Sequence, residues 1–175
     1  MSTHTPDKNL AAVCGLFCGA CSLYIGTTED PARLKPIADR RGRSEAEVIC
    51  YGCRSDQRSY YCATCEKVTC AAQKGADFCG ECPDYPCDNL KAFQAEMPHR
   101  AELWQSLERI KQIGWGKWQQ EMADRHSCRK CSTVNSAYDL TCRNCGAHPA
   151  SDFVEAHQDA IRRHLARASN GVSKP

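Results

Sequence analysis

The chain has 175 residues, 23 basic and 21 acidic, for a formal net charge of +2. Fifteen residues are cysteine, while Leu, Ile, Val and Phe together number only 25, about 14%. So little oily side chain, without the high net charge of a disordered chain, excludes a fold held by a large apolar core and points to cross-links or metals. The charge balance excludes a histone-like or polyanionic protein and leaves room for a local basic patch.

Spacing decides between disulfides and metals. Fifteen is odd, so a closed disulfide framework leaves one thiol over. Twelve cysteines fall in six Cys-x-x-Cys pairs: Cys18/Cys21, Cys50/Cys53, Cys62/Cys65, Cys79/Cys82, Cys128/Cys131 and Cys142/Cys145. A two-residue gap lets a tight turn aim both sulfurs at one point, as tetrahedral zinc requires. Disulfide scaffolds need no such uniformity. Metal-holding thiolates persist in a reducing compartment, so a cytoplasmic location is expected. The uncharged run over 10–26 is too short for a membrane span, carries three metal-spaced cysteines, and lacks a signal-peptide cleavage site. No membrane association is expected.

Three zones are expected: a cysteine-rich module over 1–97, a helical connector over 98–126, and a zinc ribbon with a C-terminal helix over 127–175. In the first zone, Ser44 and Glu47 make a capping-box pattern, while Pro31 and Pro36 obscure any helix before it. Val68 to Lys74 is a short helix that Gly75 ends, and a further helix spans about 86–96. Leu103, Leu107, Ile110 and Ile113 line one helical face. Gly114 and Gly116 interrupt it before a second helix from Lys117 to about Asp124. In the tail, Ser151 is an N-cap, and Phe153, Ile161 and Leu165 form a stripe. The class is therefore a small metal-stabilised α+β fold: short helices and metal knuckles, a helical linker, then the ribbon and its helix.

The ribbon is the strongest motif. Cys128, Cys131, Cys142 and Cys145 form two knuckles ten residues apart, and Gly146 suits the left-handed turn after the last ligand. A structural four-thiolate zinc is expected, with a rubredoxin-like iron centre as the alternative.

The first zone holds eleven cysteines: four pairs plus Cys14, Cys70 and Cys87. Four pairs make two closed four-sulfur sites and leave three thiolates. These three converge on a third metal, or swap into the other sites, or the whole module carries iron–sulfur clusters. Cys14-x3-Cys18-x2-Cys21 has the spacing of radical S-adenosylmethionine enzymes, but 97 residues fall short of the barrel of roughly 200 that such chemistry needs. Cys18-Gly-Ala-Cys21 as a thioredoxin-like dithiol lacks its βαβ flanks. Two segments repeat with a period of 17: Tyr61-Cys62-x-x-Cys65-x4-Cys70 and Phe78-Cys79-x-x-Cys82-x4-Cys87. The repeat favours Cys62/Cys65 with Cys79/Cys82 at one pseudo-symmetric site.

Cys14-Gly-Leu-Phe-Cys18-Gly-Ala-Cys21, Cys50-Tyr-Gly-Cys53-Arg-Ser-Asp, Tyr61-Cys62-x-x-Cys65-x4-Cys70, Lys74-Gly75 and Cys79-x-x-Cys82-x-x-Tyr85-Pro86-Cys87 together resemble the cysteine-rich "domain of unknown function 3795" family of bacteria and archaea. The resemblance covers roughly residues 12–95, and the C-terminal ribbon is similar to one appended to such domains. It implies metal binding and no particular reaction.

No nucleotide loop, nucleophile elbow or zinc-protease motif is present, so a binding role is favoured over an enzymatic one. None of the six histidines lies between Cys14 and Cys87. His126 and His148 flank the ribbon ligands as surface or supporting groups, and His157 and His164 are read as surface residues of the tail helix. Asp77, Glu81 and Asp84 beside the second repeat are read as solvated. Trp104, Trp115 and Trp118 are read as core. Arg40, Arg41 and Arg43, and the tail's Arg162, Arg163 and Arg167, are read as solubilising, with a nucleic-acid patch as the alternative for the tail. The function expected is a binding protein with three or more zinc ions and a protein or nucleic-acid partner. The alternatives are iron–sulfur redox chemistry in the first zone and a zinc enzyme with an open site. The sequence gives no oligomeric state.

Overall fold

The computed structural model describes residues 5–169. Expectations that fall on residues 1–4 and 170–175 lie outside the described residues.

The chain runs as short helices separated by cysteine loops. In order these are α1 (Ser22–Thr28), α2 (Leu34–Arg41), α3 (Glu45–Val48), α4 (Tyr60–Ala63), α5 (Glu66–Gln73), α6 (Asp88–Glu96), α7 (Leu103–Ile113), α8 (Trp115–His126) and α9 (Asp152–Ser169). Among the described residues the only β structure is two isolated antiparallel bridges, Ala11–Phe17 and Ser127–Val134. The α+β expectation is therefore corrected to a helix-rich fold. The longer stretches between cysteine turns are taken up by helices, which leaves few runs of the five or six residues that a strand usually needs.

The long helices follow their patterns. Leu103, Leu107 and Ile110 are buried on one face of α7, each worth about 1.5–3 kcal/mol of burial. Gly114 ends α7 at φ +79°, but Gly116 falls inside α8, which begins at Trp115 and not at Lys117 and runs to His126. The Ser151 hydroxyl accepts from the Val154 amide at 3.4 Å, which caps α9. Ser44 and Glu47 form the full capping box of α3. Pro36 sits inside the first turn of α2, where its missing N–H costs nothing, so the helix forms despite both prolines. Helices α1 and α4 have too short a periodic pattern to be legible in the sequence.

The largest apolar cluster joins the first zone to the connector. It unites Ala11–Val13, Cys14, Cys53, Phe78, Leu90 and Phe93 with Leu103, Leu107, Ile110 and Trp118. Trp104 and Trp115 pack against its edge, in line with a core role for the tryptophans. A second cluster under α9 unites Ala137, Ala150, Phe153, Val154 and Ile161.

The C-terminal cysteine loops dock on the first zone. Ala137 donates to the Ala20 carbonyl at 3.2 Å, and the Ser22 and Ser136 hydroxyls lie 2.7 Å apart. His157 and His164, expected at the surface, instead pack inward: His157 Nε2 lies 2.8 Å from Glu102, and the His164 ring lies 5.3 Å from the Tyr138 ring. His126 is buried and stacks on Phe153 at 4.5 Å. Among the described residues no helix is long and apolar enough to cross a membrane.

Candidate metal centre

Four sulfurs converge in the C-terminal zone. Cys128, Cys131, Cys142 and Cys145 lie within 4.8 Å of one another. Cys128 Sγ is 3.7 Å from Cys145 Sγ, and Cys131 Sγ is 3.6 Å from Cys142 Sγ. Four sulfurs about 2.3 Å from one tetrahedral metal stand about 3.8 Å apart, so this ring fits a single thiophilic ion.

Each half of the ring is a tight turn. Cys128 donates to Thr133 at 2.9 Å and Ser132 donates back to Cys128 at 2.8 Å. Cys142 donates to Ala147 at 2.8 Å and Gly146 donates to Cys142 at 2.9 Å. Gly146 has φ +69°, as its place after the last ligand requires. One bridge, Ser127–Val134, joins the flanks, so the described residues form paired knuckles without the strands of a ribbon.

The surroundings favour thiolate at Cys131 and Cys142, while the neighbouring thiols push Cys145 up. The Lys130 amide points at Cys128 Sγ at 3.4 Å, and the Thr133 hydroxyl lies 3.3 Å from Cys131 Sγ. With Thr133's hydroxyl and amide beside it, Cys131 is pulled down to about 6. Buried Asn135 turns its amide to Cys142 Sγ at 3.6 Å and to the Thr133 carbonyl at 2.9 Å, tying ligand to backbone. Sequence reasoning missed Asn135, since a lone asparagine between ligands looks like any turn residue. His148 turns its Nδ1 to the Leu140 carbonyl, and neither it nor His126 joins the sulfur ring.

The eleven thiols of the first zone form a band, and its neighbours run between pairs more than within them. Cys50 is pulled down to about 6, chiefly by the thiol of Cys62. Cys62 is pushed up, first by Cys50 and, more weakly, by Cys21. Cys14 is pushed up to about 12 by burial, with Cys53 the strongest neighbouring thiol, followed by Cys79 and Cys65. Cys18 is raised by burial, then by Cys53 and Cys21, and less by Cys14, while the Cys53 backbone N–H lowers it. Cys79 is raised to about 12 by burial and by Cys87, Cys70, Cys82 and Cys65 in turn. Cys50 and Cys62 act most strongly on each other, Cys53 is the strongest thiol on both Cys14 and Cys18, and Cys87 is the strongest on Cys79.

The strongest thiol on Cys62 is Cys50, while Cys65 acts on Cys79. The two repeat copies also fold differently: Cys70 lies inside α5, while Cys87 precedes α6 as its N-cap. Of the surplus thiols, Cys14 has Cys53 as its strongest thiol neighbour, while Cys87 and Cys70 act on Cys79. Among the described residues the Cys128 group is the only one with three or more ligand atoms all within 4.8 Å of one another. The first-zone thiols are therefore more widely set.

Arg54 holds the band together, and sequence reasoning passed over it. It donates to the Ala11 carbonyl at 2.8 Å, to the Asp77 carboxylate at 2.9 Å and to the Asp77 carbonyl at 2.6 Å. Its guanidinium lies 4.7 Å from the Phe78 ring centre. Asp77 also pairs with Lys8 at 2.8 Å, Glu81 accepts from the Phe78 amide at 3.3 Å, and Asp84 pairs with Lys74. These carboxylates are engaged in ion pairs and turns.

No curated protein and no solved structure matches the chain. The segment with the Cys128 group lies outside the family match. Residues 10–92, which carry the first-zone thiols, match the family described as "Protein of unknown function (DUF3795)".

Proposed function

We propose that the chain is a cytoplasmic zinc-binding protein whose metals hold a binding surface in place. The observation that carries this is the Cys128, Cys131, Cys142, Cys145 ring, which has the size and donor set of a closed structural zinc site. A closed four-thiolate zinc does no chemistry itself and acts as a fold staple. All fifteen cysteines are free thiols, the state a reducing cytoplasm preserves.

A local group of arginines supports a surface of this kind. Arg41 at the end of α2 and Arg167 on α9 both act on His164, so two distant segments bring positive charge together. Arg40, Arg162 and Arg163 are exposed on the same two helices. With a net charge of only +2, this patch is a local feature and suits a nucleic-acid backbone. The test is affinity for a short duplex or single strand at several salt concentrations. Each phosphate contact contributes a log–log slope of about −0.9 on duplex DNA. Reversing Arg41 and Arg167 to Glu is expected to flatten the slope by about two contacts. No affinity at low salt removes nucleic acid as the partner and leaves a protein.

The spacing of the first-zone thiols favours a second reading for that zone alone. Sulfurs near enough to influence one another, yet wider than a single-ion site, suit the larger ring around an iron–sulfur cluster. Protein purified without oxygen then carries iron and acid-labile sulfide and absorbs in the visible. A colourless, zinc-only preparation defeats this reading.

A further inference from the structure

The loop over 132–141 joins the two knuckles of the four-sulfur ring, so Cys131 holds one of its ends and Cys142 the other. It forms no helix, yet its centre is buried: Asn135 and Ser136 are 0% exposed and Ala137 is 5% exposed. Loop backbone is seldom buried, because its polar groups then need protein partners. Here the loop finds partners on both sides.

One side grips the first zone. The Ala137 amide donates to the Ala20 carbonyl at 3.2 Å, and the Ser136 hydroxyl lies 2.7 Å from that of Ser22. Asp139 accepts from both terminal nitrogens of Arg33 at 2.9 Å. Just past the loop, Arg143 pairs with Glu29. The gripped segment, 20–33, contains α1 and ends where α2 begins. Ala20 and Ser22 stand on either side of Cys21. The other side of the loop faces α9, where Ala137, Tyr138 and Leu140 pack with Phe153, Val154 and Ile161.

The shape that makes these contacts is tied to the ring. Asn135 reaches Cys142 Sγ at 3.6 Å and the Ala150 carbonyl at 3.2 Å, and its side-chain oxygen accepts from the Arg143 amide at 3.0 Å. The Ser136 amide donates to the Asp139 carboxylate at 2.9 Å and the Asp139 amide to the Ser136 carbonyl at 3.0 Å, a turn that aims Asp139 at Arg33. A metal on the ring joins the loop's ends and removes most of the freedom of the chain between them. With the ends released, ordering the loop costs more backbone entropy than its few hydrogen bonds return.

We propose that the loop over 132–141 is a metal-dependent clamp: an ion on the Cys128, Cys131, Cys142, Cys145 ring fixes both its ends and so holds residues 20–33, transmitting the occupancy of the C-terminal ring to the segment that carries Cys21. The proposal rests on the metal-binding reading above and adds a regulatory consequence to it. Because α2 follows Arg33 and α9 packs on the opposite side of the loop, the same clamp sets where these two arginine-bearing helices stand. The connector lies outside the device. Leu103, Leu107 and Ile110 of α7 sit in the main apolar cluster, and α9 also packs on α8. Loss of the ring metal therefore frees 20–33 and leaves α7 in place.

The test is amide hydrogen exchange, read by mass spectrometry on the full chain purified without oxygen, beside elemental analysis of the same samples. Cys145→Ser removes a ligand that lies outside the loop and outside the contacts with 20–33. It is expected to lose one metal equivalent and to exchange the amides of 22–33 about 10-fold or more faster than wild type, with α7 unchanged. Asp139→Asn keeps all four sulfurs and is expected to show faster exchange over 22–33 with full metal content. Unchanged protection of 22–33 in a Cys145→Ser protein that has lost its metal overturns the proposal. So does unchanged protection in Asp139→Asn, or an equal loss of protection in α7, which marks general unfolding. Full metal content in Cys145→Ser defeats the C-terminal metal reading itself and the clamp with it, so elemental analysis and exchange report the two failures separately.

Discussion

Arg33 and Asp139, 106 residues apart, form a two-pronged ion pair in which both nitrogen–oxygen distances are 2.9 Å. Both side chains are only 17% exposed. The pair clamps the turn before α2 to the loop between the C-terminal cysteine knuckles. Asp139 also accepts from the Ser136 amide at 2.9 Å, and Arg33 also donates to Asp30 at 2.7 Å, so neither partner is free to swing away.

Planar two-pronged pairs of this kind are among the stronger polar contacts. Arg33→Ala is expected to lower unfolding free energy by about 2 kcal/mol, read from denaturant titration. The cycle with Asp139→Ala is expected to show coupling of about 1 kcal/mol or more. Simple additivity of the two losses would show that the clamp contributes nothing.

Removing one sulfur from the C-terminal ring is expected to release one metal ion and to loosen α9. Cys142 is the choice, since it is 3% exposed and Asn135 ties it to the backbone. Cys142→Ser should lose one metal equivalent by elemental analysis and show a lower Tm. Chelation of the wild-type protein should reproduce the loss. A variant with full metal content and unchanged Tm would mean that these four sulfurs hold nothing.

Gly52 lies between Cys50 and Cys53 at φ +110°, and a Cβ there would meet the Asn9 carbonyl oxygen at 2.3 Å. Backbone strain of this kind costs about 1–3 kcal/mol before any clash. Gly52→Ala is therefore expected to destabilise by about 3 kcal/mol or more, and to alter metal content in the first zone alone. Gly42, at φ +59° with open space around it, is the control: Gly42→Ala meets no neighbour and leaves the metals in place. Equal metal loss in both variants would show that the Cys50–Cys53 turn has no special need of glycine.

The His99 ring is desolvated, and this pulls its pKa from 6.5 down to about 3, with Arg100, His164 and His126 adding repulsion. Its Nδ1 lies 2.5 Å from the Tyr138 hydroxyl. A folded-state pKa below the unfolded one means that the unfolded chain binds the extra proton first. Stability from this group is therefore full above about 6.5 and is lost as pH falls toward 3. His99→Gln is expected to flatten that part of the pH–stability profile. Identical slopes in variant and wild type between pH 6 and about 4 would contradict it.

The sequence by itself determined the local order. The stripe of Leu103, Leu107 and Ile110 set α7, Gly114 set its end, Ser151 set the start of α9, and the Cys128–Cys145 spacing set a four-sulfur ring. Each of these depends on residues within one or two turns of each other, where spacing alone fixes geometry. The grouping of the other eleven thiols was not legible in this way. A Cys-x-x-Cys turn can aim both sulfurs at one point or divide them between two, and the choice depends on what packs behind it. Here the loops that end on Ala11 and Asp77, pinned by Arg54, and the return of Cys50 onto Cys62 past buried Ser59, decide the neighbours. Those contacts span tens of residues, so they form only once the chain has folded.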